Sequence, residues 1–439
     1  MDPFRSYDVR GLYPQEVNEE LFEKIGRAFV LLYKLKKVYV GYDCRRSSES
    51  LHKAFIAGAL AQGADVVDLG LSSTPLAYFA TKHGAAAIIT ASHLGRDFNG
   101  VKMVLKDLAH VDDIPGIKAL TIANQWPDAT PGTVSEESFL REYVDALNKE
   151  GTPSDKKIVV DCGNGMASLT ATPFLQRVAD PTFLFYQMDG LFPHRDPNPL
   201  IDPLTKLREQ VLKDKALFGV AYDSDCDRLY LVDELGDKIL GDHTALLLAL
   251  SIAKKGDTVV LTPNLSKLVA ATLESKGIKI HYSMVGHVYI KTEMKKTGAV
   301  FGAELSGHFY FKSMNGEDSA DLAIVHLLNL IEKPVSQLIK PYPIPAKSEE
   351  INYEVNREQA LEAVTKEFGT KEEEFGIWHK DKNFWFLIRK STTEELVRLV
   401  AEADTKEELD AVVKKISDMM SACGGRRLAL GEVARPLAA

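Results

Sequence analysis

Short apolar runs recur along the chain, each preceded by a charged residue and followed by a polar loop. Three of them begin at Lys37, Lys157 and Asp257, and each leads into a segment with helical periodicity and then a second apolar run. A strand, a helix and a second strand in this order form a βαβ unit. The units are about a hundred residues apart, which is too long for a solenoid repeat and predicts three related α/β domains.

The C-terminal part has a different pattern. Residues 351–388 are rich in strand-forming residues, and one amphipathic helix is expected from Thr405 to about Met420, with a capping box formed by Thr405 and Glu408. This combination predicts a smaller α+β domain. We therefore expect four domains, at 1–150, 151–254, 255–342 and 343–439, and a poorly packed tail after Gly424.

Composition restricts the class of protein. The 439 residues are 45% hydrophobic and 26% charged, which is ordinary for a globular chain. Four widely separated cysteines suggest neither a disulfide framework nor a zinc site. A net charge of −9 argues against nucleic acid as a partner. No signal peptide or membrane-spanning run is recognisable, so the expectation is a cytoplasmic enzyme that binds no membrane.

Three aspartates alternate along one stretch: Asp223, Asp225 and Asp227, followed directly by Arg228. Apolar runs at 217–221 and 229–232 flank them, so a turn between two buried strands is predicted. If the backbone there is extended, alternate side chains point to one side and the three carboxylates converge on one hard cation.

Two other interpretations of the acidic stretch compete with a magnesium site. A solvated acidic turn is common, and Glu234 falls where a helix-loop-helix calcium loop has its bidentate glutamate. Such a loop needs glycine at the position of Arg228 and a helix afterwards, whereas a strand is predicted here. Magnesium is favoured, and because it keeps few protein ligands it would share its shell with a phosphate.

A second polar loop follows the apolar run at 85–89 and contains Ser92 and His93. A loop at the carboxyl end of a strand is the usual place for chemistry in an α/β sheet, so we expect Ser92 to be exposed. A hydrolase would use Ser92 as nucleophile and His93 as base, but neighbours in extended backbone point apart and the G-x-S-x-G elbow is absent. The alternative is a phosphorylated Ser92, with His93, Lys102 and Arg228 supplying positive charge or protons.

Two further loops have suitable chemistry for a phosphosugar. Glu304, Ser306 and His308 alternate between apolar strands and could bind vicinal hydroxyls, although a plain polar turn is an alternative. Arg389 precedes hydroxyl-bearing residues in a predicted strand-to-helix turn. Free amides at the start of a helix would make this turn a phosphate cradle, or else an ordinary N-cap.

These four loops, in this order, resemble those of the α-D-phosphohexomutase superfamily, and specifically its phosphomannomutase/phosphoglucomutase group. The resemblance extends over nearly the whole chain, because residues 4–11, 40–48 and 285–287 also match motifs of that family. It implies three α/β domains with mixed sheets and a smaller C-terminal α+β domain, arranged in a heart shape around a central cleft.

The resemblance implies roles for individual residues. Ser92 would be the phosphorylated residue and, with Asp223, Asp225 and Asp227, a ligand of Mg²⁺. The implied catalytic groups are Ser92, His93, Lys102, Arg228 and His287, of which Lys102 and His287 are the proton-transfer candidates. The implied substrate-binding residues are Tyr7, Arg10, Arg45, Glu304, Ser306, His308, Arg389, Ser391 and Thr393.

The implied reaction converts hexose 1-phosphate, of mannose or glucose or both, reversibly into hexose 6-phosphate through a phosphoserine and a hexose 1,6-bisphosphate. Hexose phosphates would be the partners of a monomer or homodimer. Leu94 and Gly95 replace the usual Asn-Pro of the family, and Thr392 and Glu395 replace a glycine and a proline. These departures keep a weakly active sugar-phosphate sensor as an alternative. A phosphosugar phosphatase, in which water takes the phosphate from Ser92, is a separate alternative.

Overall fold

The computed structural model describes residues 2–106, 111–391 and 396–429. The first sheet has the strand order β1-β5-β4-β2-β3-β6, and its last three pairings, β4-β2, β2-β3 and β3-β6, are parallel. Its strands are β1 (Val9–Leu12), β2 (Lys37–Tyr42), β3 (Asp65–Leu71), β4 (Ala85–Ile89), β5 (Phe98–Val104) and β6 (Val134–Glu136). The accompanying helices are α1 (Glu19–Tyr33), α2 (Ser48–Ala61), α3 (Thr74–Phe79), α4 (Ile114–Ala123) and α5 (Leu140–Glu150).

Local sequence accounts for the packing of the first layer. Asn18 caps α1, because its side chain accepts a hydrogen bond from the Leu21 amide at 2.9 Å. Gly26 of α1 and Gly58 of α2 lie where the two helices cross, and a Cβ on either would meet backbone atoms at 2.2 and 1.9 Å. Only glycine permits this close approach of the two helices.

The second and third sheets have a similar arrangement with fewer strands. The second, ordered β10-β9-β7-β8, contains β7 (Lys157–Asp161), β8 (Asp180–Leu184), β9 (Phe218–Tyr222) and β10 (Leu229–Asp233), with helices α6 (Ala167–Val178) and α7 (Thr205–Asp214). The third, ordered β12-β11-β13-β14-β15, contains β11 (Thr258–Leu261), β12 (Lys279–Tyr282), β13 (Phe301–Ala303), β14 (Phe309–Phe311) and β15 (Glu317–Asp318). Its helices are α8 (Gly241–Ile252), α9 (Lys267–Ser275), α10 (His287–Thr297), α11 (Ala320–Leu330) and α12 (Val335–Ile339).

The fourth sheet is antiparallel throughout its recorded pairings, and its main strand order is β18-β19-β20-β17-β21, with β16 paired to β20. The strands are β16 (Ala346–Lys347), β17 (Ile351–Glu354), β18 (Ile377–Lys380), β19 (Phe384–Lys390), β20 (Val397–Ala403) and β21 (Arg426–Arg427). Two helices, α13 (Arg357–Phe368) and α14 (Lys406–Ala422), cover it. Three α/β units with mixed sheets and a smaller α+β unit confirm the predicted fold class.

Three predictions for the C-terminal part are wrong. Helix α13 interrupts the region expected to be strand-rich; Asn356 caps it, and Ala360, Leu361 and Val364 form its buried side. The residues directly after Gly424 are not all loosely packed, because Arg426–Arg427 pairs with β17, while the rest of the predicted tail, residues 430–439, lies outside the described residues. The Arg389 loop joins β19 to β20 and is therefore a hairpin connection, not the start of a helix. By contrast, the Thr405 and Glu408 capping box is present.

The predicted functional loops occupy equivalent places in the first three sheets. Each one connects a strand at the end of the parallel part to an antiparallel neighbour: β4 to β5, β9 to β10 and β13 to β14. The carboxyl ends of these strands present their loops at corresponding sheet edges. The three repeated α/β domains therefore share the position of their predicted functional loops as well as their fold.

One apolar core joins the first three sheets. It contains Tyr143 from the first, Phe174 from the second and Phe301 from the third, all fully buried. The fourth sheet has its own core, which includes Phe386 and Ile416. In the part of the chain that the structure describes, no helix is long and apolar enough to cross a membrane.

Candidate active site

The three hairpin loops of the first three sheets meet at one point. The Ser224 hydroxyl donates a hydrogen bond to the Ser92 carbonyl at 2.6 Å, which joins the acidic loop to the Ser92 loop. On the other side, Arg228 Nε donates to His308 Nε2 at 2.9 Å. The acidic loop, residues 223–228, is therefore the centre of the site.

The three aspartates converge, although not by the predicted route. All three are buried, and one carboxylate oxygen from each lies within 4.8 Å of the others. The loop is a turn and not extended backbone, and Cys226 has a φ of 69°. Asp225 Oδ1 and Asp227 Oδ1 are buried and have no hydrogen-bond partner among the described residues. Buried anionic oxygens with free lone pairs fit a small hard cation.

Positive side chains partly neutralise these acids. Lys102 Nζ, on β5, lies 2.7 Å from Asp225 Oδ2 and 2.5 Å from Asp227 Oδ2. Burial lowers the pKa of Lys102, but the two carboxylates outweigh it and the net pKa is raised. Burial raises the pKa of Asp223 well above its usual range, and the neighbouring carboxylates of Asp227 and Asp225 raise it further. A cation at this site would relieve that repulsion.

Ser92 is buried, and the expectation that it is exposed is wrong. Its residue surface is only 1% exposed, and its Oγ lies 3.4 Å from Asp223 Oδ2. Its φ is 52°, so the chain turns sharply and His93 Nδ1 comes within 3.4 Å of the same Oγ. The argument that Ser92 and His93 point apart fails, because it assumed extended backbone.

Arg45 donates hydrogen bonds to the main chain of the Ser92 loop. It is 2% exposed, and Nη2 donates to the carbonyls of Ser92 at 2.5 Å and Leu94 at 2.6 Å. Nη1 donates to the Gly95 carbonyl at 2.7 Å, and Nε to Asp43 at 3.1 Å. These bonds use the guanidinium donors, so Arg45 is placed to shape the loop more than to contact a substrate. The Leu94 and Gly95 carbonyls thus accept bonds from a buried cation.

Two histidines near the acidic loop, His93 and His287, favour the neutral form. Burial lowers the pKa of His93 well below its usual range, and the positive charges of Arg228 and Arg10 add to this. Burial, together with Lys291, lowers the pKa of His287 in the same way. The Tyr7 ring packs edge-on against His287, with the ring centroids 4.7 Å apart.

Arg10 reaches the same cluster from β1. Its Nη2 lies 2.7 Å from Asp8 Oδ2. Burial lowers the pKa of Arg10, but Asp8 and the more distant Asp225 and Asp227 raise it overall. Arg10 therefore stays charged while it faces the acidic loop.

The third loop has its polar groups tied to protein partners. Glu304 accepts bonds from the Gly286 amide at 2.6 Å and from the Tyr310 hydroxyl at 2.8 Å. The Ser306 carbonyl accepts a bond from Tyr230 at 2.7 Å. Each Glu304 oxygen has a second lone pair, so these bonds hold the carboxylate without using all of its acceptor capacity.

His308 is oriented by a residue that sequence patterns did not single out. Its Nδ1 lies 2.8 Å from Asp318 Oδ2, while its Nε2 accepts the bond from Arg228. Asp318 is itself 2.9 Å from Lys291 Nζ. Nothing in the local pattern indicates this contact, because it depends on the pairing of β14 with β15.

A separate cationic group lies on the fourth sheet. Arg389 Nη2 is 2.9 Å from Glu350 Oε2, and Arg398 Nη1 is 2.8 Å from Glu350 Oε1. Arg389 and Arg398 face each other in the β19–β20 register. A β-hairpin prediction would have placed Arg398 near Arg389, whereas the predicted strand-to-helix turn gave no reason to consider Arg398. Ser391 is buried beside them, whereas Thr393, Thr392 and Glu395 lie outside the described residues.

Family models cover most of this architecture. Phosphoglucomutase/phosphomannomutase alpha/beta/alpha domains I, II and III match residues 1–125, 141–236 and 240–343, and the family's C-terminal domain matches residues 350–419. The chain belongs to the phosphoglucomutase/phosphomannomutase family. It is a phosphohexose mutase, as the resemblance of the four loops predicted.

Relatives of known name agree with this assignment. The phosphomannomutase of Methanocaldococcus jannaschii is 33% identical over 441 residues, which covers 95% of this chain and 97% of the relative. A phosphomannomutase of Escherichia coli is 33% identical over 451 residues, covering 94% and 99%. The probable phosphoglucosamine mutase of Methanocella arvoryzae is 29% identical and covers 96% and 98%.

Solved structures show the same fold. A phosphoglucomutase/phosphomannomutase family protein from Burkholderia thailandensis superimposes with a TM-score of 0.87 at 26% identity, covering 96% of this chain and 97% of the other. The N-acetylphosphoglucosamine mutase of Aspergillus fumigatus, solved with GlcNAc-6P and magnesium, has a TM-score of 0.58 at 14% identity and covers 90% and 80%. At that identity the second likeness concerns the fold alone.

Proposed function

We propose that this mutase interconverts hexose 1-phosphate and hexose 6-phosphate, with Ser92 as the phosphoryl carrier. The observation that carries the proposal is the position of the Ser92 hydroxyl, which is buried 3.4 Å from Asp223 at the edge of the three-aspartate cluster. A hydroxyl in that position can carry a phosphoryl group whose oxygens face a cation and several basic side chains.

Mg²⁺ is the proposed cofactor. Its protein ligands would be Asp223, Asp225 and Asp227, because one carboxylate oxygen of each converges, and because Asp225 Oδ1 and Asp227 Oδ1 have no hydrogen-bond partner among the described residues. A phosphoryl oxygen on Ser92 would complete the set. When bound there, the ion supplies positive charge next to the phosphoryl group that is transferred.

Basic side chains have to balance the remaining negative charge. Three carboxylates and a phosphoryl group of about two negative charges exceed a divalent cation by about three. Lys102 and Arg228 face this region and supply two positive charges, and Arg10, which also pairs with Asp8, lies close enough to add part of a third. Arg45 fixes the backbone of the loop on which the phosphoryl group sits.

Proton transfer is divided between two kinds of group. Lys102, held as an ammonium by two carboxylates, can donate to the oxygen that leaves the phosphorus. His287 and His93 favour the neutral form and can accept a proton from the attacking hydroxyl. We propose these groups as the acid and the bases of the reaction.

The Arg389 end binds the phosphate that does not react. Phospho-Ser92 donates its phosphoryl group to the free hydroxyl at one end of the sugar, which gives a hexose 1,6-bisphosphate. This intermediate turns end for end, and Ser92 recovers a phosphoryl group from the other end. The fourth sheet has a core of its own, which supports a domain movement that accommodates the turning sugar. Glu304, Ser306 and His308 would bind the hydroxyls between the two phosphates.

Turnover of three substrates tests the reaction and its specificity. The relatives are named for mannose, glucose and glucosamine phosphates, and we expect activity on mannose 1-phosphate, glucose 1-phosphate or both. Each 1-phosphate, including that of N-acetylglucosamine, is supplied with a trace of its 1,6-bisphosphate, and 6-phosphate formation is measured. Release of inorganic phosphate without 6-phosphate would indicate a phosphatase, and binding without turnover would indicate a sensor.

Replacing Arg389 tests the distal phosphate site. Arg389→Ala removes a charge-assisted hydrogen bond of about 1.5–3 kcal/mol, so kcat/KM should fall roughly 10- to 150-fold. Both KM and kcat should change, because the distal phosphate also positions the reacting end. Steady-state kinetics on the preferred 1-phosphate measures this, and Arg398 remains to neutralise Glu350 in the variant.

The matched control is Arg426→Ala. Arg426 is in the same sheet and also pairs with a glutamate, Glu354 at 2.7 Å, but it lies on β21 at the opposite edge from β18. We expect its kinetics to match those of the wild type. If Arg389→Ala has an unchanged KM, the β19–β20 loop does not bind the phosphate.

A further inference from the structure

Thr74 contacts the centre of the acidic loop from a different sheet layer. It is the first residue of α3 and is completely buried. Its hydroxyl donates to Asp225 Oδ2 at 2.5 Å, and its amide donates to the Asp225 carbonyl at 2.9 Å. Lys102 Nζ lies 3.4 Å from the same hydroxyl. One residue of the first domain thus holds both the backbone and the side chain of Asp225.

The neighbouring carbonyls of the loop are held from other parts of the molecule. The Met166 amide, at the start of α6, donates to the Ser224 carbonyl at 2.8 Å. The Ala320 amide, at the start of α11, donates to the Cys226 carbonyl at 3.1 Å. Amides from three sheet layers therefore fix the backbone path at Ser224, Asp225 and Cys226.

A fixed backbone alone does not orient a carboxylate. An aspartate side chain still rotates about two bonds, and the hydrogen bond to Oδ2 removes that freedom at Asp225. The Thr74 hydroxyl reaches Oδ2 from the first position of α3, and Pro75 restrains the backbone that follows. With Oδ2 held by Thr74 and Lys102, the unpartnered Oδ1 of Asp225 has one defined position.

We propose that Thr74 is a positioning residue that orients Asp225 for divalent-cation binding. The inference rests on the proposed function, in which the three aspartates hold Mg²⁺. Groups that hydrogen-bond a metal ligand raise metal affinity by fixing that ligand, and removing one typically costs 10- to 100-fold. The effect should therefore appear in cation binding itself and in the Mg²⁺ requirement, while KM for the sugar phosphate stays unchanged.

The experiment compares Thr74→Ser with Thr74→Ala. The two variants differ by a single oxygen, and both lose the methyl group and keep the backbone amide. Affinities for Mg²⁺ and Mn²⁺ are measured by isothermal titration calorimetry on the purified full-length chain. We expect Thr74→Ala to bind both ions about 10- to 100-fold more weakly and Thr74→Ser to stay close to the wild type. Activity of Thr74→Ala should recover at high Mg²⁺ concentration.

Two controls separate the possible failures. Thr81→Ala removes a buried hydroxyl seven positions along the chain that donates to the Tyr78 carbonyl at 2.7 Å, and it should leave cation binding unchanged. Asp225→Asn tests whether the aspartates hold the cation at all. If Asp225→Asn binds as the wild type does, the proposed metal site itself is wrong. If Asp225→Asn loses binding and Thr74→Ala does not, only the role of Thr74 is wrong.

The remaining outcomes are also decisive. Equal losses in Thr74→Ser and Thr74→Ala would assign the effect to the methyl group and overturn the proposal. If Thr74→Ala does not fold, Thr74→Val replaces it as a hydroxyl-free variant that keeps the side-chain volume. Circular dichroism and melting temperature identify which variants are folded before any titration.

Discussion

Ser92→Ala should abolish mutase activity, because no other described hydroxyl is placed beside Asp223 in the same way. Purified wild-type protein should include a fraction heavier by about 80 Da, the mass of one added phosphoryl group, on the peptide that contains Ser92. The variant should lack this fraction. Intact mass spectrometry and a coupled assay on glucose 1-phosphate or mannose 1-phosphate measure both effects.

A reactivation experiment provides the control for Ser92. Hexose 1,6-bisphosphate should restore activity to dephosphorylated wild type and not to Ser92→Ala, since it can reload a serine only where one exists. Ser224→Ala is the matched variant: its hydroxyl donates to the main-chain carbonyl of Ser92 and accepts a bond from Arg45 Nη2 at 3.4 Å, and neither partner carries the phosphoryl group, so the heavier species should persist. Full mutase activity in Ser92→Ala would refute a phosphoserine mechanism.

Asp225→Asn should lower kcat by several orders of magnitude with little effect on folding. The amide keeps the shape of the side chain and can still accept the Thr74 bond, but it removes one negative charge from the cation site. Loss of a charge that organises the transferring phosphoryl group acts on the transition state, where a single group is worth about 10²–10³ or more. Kinetics at saturating Mg²⁺ measure the effect, and melting temperature reports the fold.

Asp233→Asn is the matched control in the same hairpin. Asp233 is buried at the end of β10, but its carboxylate accepts bonds only from the backbone amides of Leu235 and Asp237 among the described residues. We expect turnover to be nearly unchanged in this variant. Turnover of Asp225→Asn equal to that of Asp233→Asn would show that Asp225 is no ligand of a catalytic cation.

The errors of sequence reasoning at the acidic loop and the Ser92 loop share one cause. Alternation was used to argue that Asp223, Asp225 and Asp227 converge and that Ser92 and His93 diverge, but both loops contain a residue with positive φ, Cys226 or Ser92. Such a turn changes which side chains meet, and neither residue type signals it. The Arg389 loop was predicted to precede a helix because a Ser/Thr cluster after a strand is typical of a helix N-cap. The same cluster is also common in hairpin turns, so the local sequence does not distinguish the two.

The amino-acid sequence by itself determined the βαβ units of the first three domains, the order of the four loops and the family. The apolar run at 85–89 was predicted at the observed bounds of β4, and the run predicted from Lys157 begins where β7 begins, because apolar runs between polar loops reflect burial of the strand itself.

Only the tertiary structure decided which groups support the site. Thr74 lies 151 positions from Asp225 along the chain, and Lys102 lies 123 positions from it. Contacts over such separations depend on how the sheets pack around their common core, and local patterns carry no information about them. Arg45 shows the same limit. Its place in a family motif could be read from the sequence, whereas its burial against the Ser92 loop depends on the main-chain carbonyls that the folded loop directs toward it.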